Sequence, residues 1–232
     1  MSPKWCDFAV FNSKSRHYKR GKLKDVTAQK GKTSTARVSR AEAIERFLEV
    51  TISLLSTKPF PDISIQEIAE AAGLNHGYVF RYFGTRLDLF EAVTVEIAKR
   101  ARAQVEAEAE KRKKISSDLV TLDLSLLATG QQLTQLRMRV VMYLISCGVD
   151  AKRFGEESKK NILLFADYFE TLGMTRRMAE ATAVRSSALI FTNNFMSEAF
   201  GLTEQDVQDG LKLSLNEIAR ATETQNALGW DA

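Results

Sequence analysis

The sequence predicts an all-α fold, with a small N-terminal helix-turn-helix domain ahead of a larger helical domain. Three observations carry this expectation. Only three prolines occur, at Pro3, Pro59 and Pro61, and none follows. Such a distribution suits long helices, because proline removes a helical hydrogen bond and clashes with the turn before it. Apolar residues recur at three- and four-residue spacing in one segment after another, without strand-like alternation. Ser39/Glu42, Ser64/Glu67, Thr85/Asp88 and Thr203/Asp206 each set a hydroxyl three residues ahead of an acid, the signature of a helix start.

Charge is unevenly spread. Met1 to Arg40 holds eleven Lys or Arg against two Asp, and the remainder holds 22 bases against 27 acids. The net charge of +4 therefore originates in the leader, which shows no sustained periodicity and reads as a basic flexible extension over 1–36. Three readings fit it: a solvated tail, an arm that tracks DNA phosphates or reaches a groove, or translation from a start set too far upstream.

The first helix begins near Ser39, with Ile44, Phe47, Leu48, Ile52 and Leu55 as its buried stripe. Lys58-Pro59-Phe60-Pro61-Asp62 ends it, and Phe60 and Ile63 are expected to seal the base of a three-helix unit. Ser64 then caps a helix whose inner face is Ile65, Ile68, Ala69 and Ala72. Gly73 supplies the left-handed residue for a sharp turn. Asn75 caps a second short helix, with Val79 and Phe83 inward and His76, Tyr78, Arg81 and Tyr82 outward. A plain helical hairpin would use the same glycine. The shape is also that of a helix-turn-helix, whose second helix enters the DNA major groove.

The residues that follow, Phe80-Arg81-Tyr82-Phe83-Gly84-Thr85-Arg86-Leu87-Asp88-Leu89-Phe90, resemble the end of the DNA-binding domain of the TetR family of transcriptional regulators. There an aromatic-rich helix closes in a short turn, and a long fourth helix opens with a small hydroxyl residue and a base. The resemblance covers about Ser39 to Val93. It implies a ligand-responsive regulator, most often a repressor, acting as a homodimer on double-stranded, pseudo-palindromic operator DNA. It places the helix-turn-helix domain at 37–92, a helical effector-binding and dimerisation domain at 93–222, and a frayed tail at 223–232.

On this reading Gln66, Asn75, His76, Tyr78 and Tyr82 form the base-reading surface, since Asn and Gln can pair with adenine and Tyr can meet phosphates or thymine methyls. Tyr78 and Tyr82 could instead pack on neighbouring helices. Phe80 stands where the family commonly has a phosphate-contacting tyrosine, so that hydroxyl is missing. Thr85 and Arg86 are expected to clamp a phosphate at the start of the fourth helix, with Arg86 in the place of the family's usual lysine. Arg40 is a second phosphate candidate.

The fourth helix keeps Leu89, Val93, Ile97 and Ala101 inward and ends in Lys111-Arg112-Lys113-Lys114, where cations complement the helix dipole. Further helices are expected over 117–128, 131–147, 151–172, 176–200 and from Thr203. An effector is expected between the fourth helix and residues 131–172, with Met138, Met142, Tyr143, Phe165 and Phe169 as apolar lining and Gln131 and Gln135 as polar anchors. That composition suits a largely apolar or aromatic molecule, and each of these residues could equally be ordinary core. The last two long helices carry apolar stripes with no later element to cover them, and Leu189, Phe195, Leu211 and Leu215 are expected at a twofold interface.

Other classes are poorly served. The two histidines are His17, in the leader, and His76. No glycine-rich phosphate loop, G-x-S-x-G elbow or H-E-x-x-H pair occurs, so no catalytic residue, cofactor or metal site is assigned. Cys6 and Cys147 are far apart and suit a reducing cytoplasm rather than a disulfide scaffold. The longest apolar run, Val140 to Val149, is broken by Ser146, Cys147 and Gly148 and falls short of the roughly 20 residues of a membrane span. A nonspecific nucleoid-type DNA binder would not need so large an apolar helical domain.

Overall fold

The computed structural model describes residues 38–115, 130–197 and 199–230. The expected basic extension and the expected helix over 117–128 lie outside these residues. Within them the chain is all-α, as its periodicity predicts, and no strand occurs among the described residues. Helix α1 spans Arg40–Leu55, α2 Ile65–Ala72, α3 Gly77–Phe83, α4 Arg86–Ile115, α5 Gln131–Ser146, α6 Gly155–Glu170, α7 Arg176–Phe191, α8 Glu204–Ala219 and α9 Ala221–Ala227. Single 3₁₀ turns at Phe60–Asp62 and Ala151–Phe154 precede α2 and α6, and a π-helical turn at Thr192–Met196 ends α7.

The helix starts follow from local chemistry. Ser39 Oγ accepts from the Glu42 amide, Ser64 Oγ from the Glu67 amide, and Thr203 Oγ1 from the Asp206 amide. Asp206 reciprocates by accepting from the Thr203 hydroxyl and amide, and these bonds, the hydroxyl's first, draw its carboxyl below the ordinary range. These bonds satisfy amides that a first helical turn leaves without partners.

One contiguous core links α1, α2, α3, α4 and α5. Phe47, Ile68, Val79, Leu89, Phe90, Val93 and Ile97 are buried together with Val140, Val141 and Leu144 of α5 and Phe154 of the second 3₁₀ turn. Helix α4 is the common element. Its 30 residues, at 1.5 Å each, make a rod of about 45 Å. One end closes the helix-turn-helix unit, and the middle packs on α5 and α6. A second cluster joins α6, α7 and the chain's C-terminal part through Ala166, Phe169, Met178, Ala179 and Ile218.

Two element expectations need correction. The helix expected to run to Phe200 loses α-helical pairing at Thr192 and closes in the π-helical turn. The tail expected to fray from 223 is instead tied down up to Trp230. Gln225 is buried and accepts from the Thr175 amide, and the Trp230 carbonyl accepts from Thr175 Oγ1. The Arg177 guanidinium lies 4.4 Å over the Trp230 ring. Helix α7's N-terminal cap, Thr175, is thus also the anchor of the C-terminus.

Candidate nucleic-acid interface and helical-domain cavity

Helices α2 and α3 are joined by Gly73 at φ 65°, ψ 31°. The Leu74 amide reaches back to the Ala69 carbonyl and the Gly73 amide to Glu70, the paired closure of a helix ending in a left-handed residue. Asn75 Oδ1 accepts from the Gly77 amide at 2.8 Å, so the Asn75 side chain orients the start of α3. Val79 is fully buried beneath α3. Gln66 on α2 and Asn75, His76, Tyr78, Phe80 and Arg81 around α3 are exposed.

Three of the expected DNA-facing residues form a row. The rings of Tyr78 and Tyr82 stack in parallel, 5.4 Å apart at 2°. The Arg40 guanidinium lies 5.7 Å from the Tyr82 centroid. Tyr82 also packs at the edge of the core, while Tyr78 stays exposed. A flat, cationic-ended row of this kind fixes two phenolic hydroxyls on one face of a short helix. Phe80, more than half exposed on the same helix, adds an apolar ring to this surface.

The phosphate clamp expected at Thr85 and Arg86 takes a different form. Arg86 turns inward. Its Nη2 donates to the carbonyls of Phe60 and Ile63 at 3.1 and 3.0 Å. Its guanidinium lies 4.7 Å over the Phe60 ring and 4.9 Å over the Phe90 ring. The proline-flanked turn leaves carbonyls that a planar guanidinium can satisfy while stacking on aromatic faces, a role lysine could not fill as well. Thr85 is exposed, but its amide and Oγ1 both donate to Asp88 Oδ2 at 2.9 and 2.6 Å. The anion at this helix start is the chain's own carboxylate.

In the helical domain a cavity of about 350 Å³ is walled by α4, α5, α6 and α7, within the size range of small-molecule sites. Of the expected lining residues, Gln131, Met138 and Phe165 border it. Gln135, Met142, Tyr143 and Phe169 do not, because the cavity runs beside the first two turns of α5 only. Met142 faces outward, Phe169 is core of the second cluster, and Tyr143 lies tilted against the Phe60 ring. Burial pushes the Tyr143 hydroxyl up, the Cys147 thiol adds to this, and Arg86 pulls it back.

The wall also carries Arg102, Arg137, Ser158 and Asn161, which composition did not single out. The available signal was the register of Arg137, four residues after Leu133 and three and seven before Val140 and Leu144, which sets a base on the apolar face of α5.

At the expected twofold interface, Leu189 and Leu211 are half-buried, and the side chains of Phe195 and Leu215 lie outside the described residues. Val184, Phe200 and Leu213 are exposed apolar residues on or beside α7 and α8.

No curated protein matches this chain. No helix among the described residues is long and apolar enough to cross a membrane. Residues 47–93, which span most of α1, the turn, α2, α3 and the first turns of α4, match the N-terminal domain of the bacterial regulatory proteins of the tetR family. With its capped α2, left-handed turn and exposed α3 carrying that match, residues 47–93 form a DNA-binding domain of the kind found in the transcriptional regulators of the tetR family.

Proposed function

We propose that the protein is a cytoplasmic, non-enzymatic repressor that binds a pseudo-palindromic operator as a homodimer and leaves it when a small, largely apolar ligand occupies the cavity. The observation that carries this reading is the continuity of α4. The helix closes the reading unit at Leu89 and Phe90 and borders the cavity at Ala101, Arg102 and Val105. About 11 to 16 residues of unbroken helix separate the two places, roughly 16–24 Å. A ligand that fits one tilt of this rod better than another shifts the spacing of two reading helices, and release follows only if its affinity for the two arrangements differs.

In the dimer the two α3 helices would meet successive major-groove faces about 34–36 Å apart, or a multiple of that. The reading face is Gln66, Asn75, His76, Tyr78 and Tyr82, with Arg40 at its edge. The exposed apolar positions on α7 and α8 supply the subunit contact. DNase footprinting of the purified protein on its own upstream region, with sedimentation of the complex, tests this. A protected, twofold-symmetric site bound by a dimer and relaxed by a cavity ligand is expected. Equal protection of all sequences would overturn it.

A further inference from the structure

The cavity's polar groups are not scattered. Arg102 of α4 and Arg137 of α5 border it together, next to Ser158 and Asn161 of α6. Arg137 is 5% exposed. It donates through Nε to the Thr94 carbonyl at 3.1 Å, through Nη1 to Ser158 Oγ at 3.1 Å, and through Nη2 to the Phe154 carbonyl at 3.3 Å. All three acceptors are neutral, and no carboxylate among the described residues forms an ion pair with it. The acid whose charge acts on it is Glu157, which already accepts from Arg102 Nη2 at 2.9 Å and from Lys160 Nζ at 2.8 Å. Glu157 does not border the cavity. Lys160 in turn also binds the exposed Glu156.

Among the described residues Arg102, Arg137 and Lys160 therefore face two carboxylates, and the positive charge left over is the one turned toward the cavity. Burial lowers the Arg137 guanidinium's affinity for its proton, Glu157 opposes this, and the charge of Arg102 adds to it. A buried cation without a counter-ion is a costly arrangement that an incoming anion relieves. The side chain is already held in place by backbone carbonyls from α4 and from the turn before α6, so little ordering remains for a ligand to impose. Away from this corner the walls are apolar, through residues such as Val105, Met138, Ile162, Phe165 and Phe191.

We propose that the effector is an amphipathic monocarboxylate: a single anionic head seated between Arg102 and Arg137 beside Ser158 and Asn161, with an unbranched aliphatic or aryl-alkyl body along the apolar walls. This rests on the reading of the cavity as the effector site and sharpens its ligand class from merely apolar to anionic and apolar. A carboxylate can accept from both guanidinium groups in charge-assisted bonds, which a hydroxyl of the same length cannot match.

The test uses the full-length chain and matched probes: octanoate, 1-octanol and octylamine, then 4-phenylbutyrate against 4-phenyl-1-butanol. Binding is read by calorimetry and by thermal shift. At least one acid is expected to bind tenfold or more tightly than its alcohol and to raise Tm, with the amine the weakest. Arg102→Gln is expected to collapse the acid-over-alcohol preference. Because Arg137 is part of the core, its substitution could simply unfold the protein; the Arg102 variant and the salt dependence of acid binding in the wild type avoid that difficulty. Alcohols binding as well as acids, neither acid binding at millimolar concentration, or an unchanged preference in Arg102→Gln would overturn the proposal. Operator release is scored separately: an acid that binds selectively without freeing DNA leaves the ligand class standing and defeats the release mechanism instead.

Discussion

The ring of Phe60, in the turn ahead of the helix-turn-helix, lies 4.1 Å from the ring of Tyr143 on α5, centroid to centroid. Phe60 is equally close to Phe90 on α4 and receives Arg86 on its face. Helix α5 thus touches the reading unit directly as well as through α4. Tyr143→Ala is expected to reduce the ligand-induced change in operator affinity at least fivefold while ligand affinity stays near wild type, and Tyr143→Phe to retain the coupling. Titrating operator DNA with and without a saturating ligand measures this. Unchanged coupling in Tyr143→Ala would leave α4 as the sole mechanical link.

Arg86 should report on stability before it reports on DNA. Its two carbonyl partners and two aromatic faces are all within the chain. Removing a charged donor from such a site costs about 2 kcal/mol, so Arg86→Ala should lower Tm by roughly 4–8 °C for a chain of this size. Arg86→Lys should recover only part of it. A variant with wild-type Tm and a salt slope of DNA binding flattened by about one would restore the phosphate role instead.

The reading face can be tested one side chain at a time. His76→Ala and Tyr78→Ala should each weaken operator binding by roughly 1–3 kcal/mol in quantitative footprinting, without lowering Tm, because both residues are exposed. Tyr82→Ala should do both, since Tyr82 supports Tyr78 by stacking and packs on the core edge. Full affinity in both His76→Ala and Tyr78→Ala would remove them from the interface.

Self-association should fail when the α8 stripe is charged. Leu211 is half-buried and Leu213 is 61% exposed on this helix. Leu211→Glu and Leu213→Glu, examined separately by analytical ultracentrifugation at micromolar concentration, should show which face of α8 is covered. At least one should sediment as a monomer, and two persisting dimers would move the interface elsewhere.

Acid should loosen the corner beside the cavity. Lys160 holds the Glu157 carboxyl below the ordinary carboxylate range, burial opposes this, and Arg102 reinforces it. A carboxyl with a lowered folded-state pKa contributes stability that is present above its unfolded value of about 4.3 and is lost as pH falls through the lowered folded value. Thermal unfolding followed from pH 7 downward should show a decline that is shallower in Glu157→Gln. Parallel pH profiles for the two proteins would show that Glu157 contributes nothing to acid sensitivity.

What was legible in the sequence is what is local. A hydroxyl three residues ahead of an acid declares a helix start whatever packs above it, and Gly73 declares its turn by lacking a Cβ. The buried stripe of α1 and the inner face of α4 follow from a 3.6-residue period. What could not be read were the destinations of long side chains. Arg86 and Arg102 each stand in a helix with solvent and protein both within reach, and the choice depends on carbonyls 23 to 26 residues away for the first and a carboxylate 55 residues away for the second. The same holds for the tail, where Gln225 and Trp230 meet Thr175 from 50 and 55 residues away and Trp230 packs on the second cluster.

The shared core of α1 to α5 bears on how this protein can be recombined. A cut at the expected seam between 92 and 93 passes through an intact helix and separates Phe60 and Phe90 from Val93, Val140, Val141, Leu144 and Phe154, with which they form one cluster. A reading head moved onto a foreign body would arrive with one wall of its interior missing. The smallest unit that can be exchanged as a self-consistent piece therefore includes the Val140–Leu144 face and the turn at Ala151–Phe154.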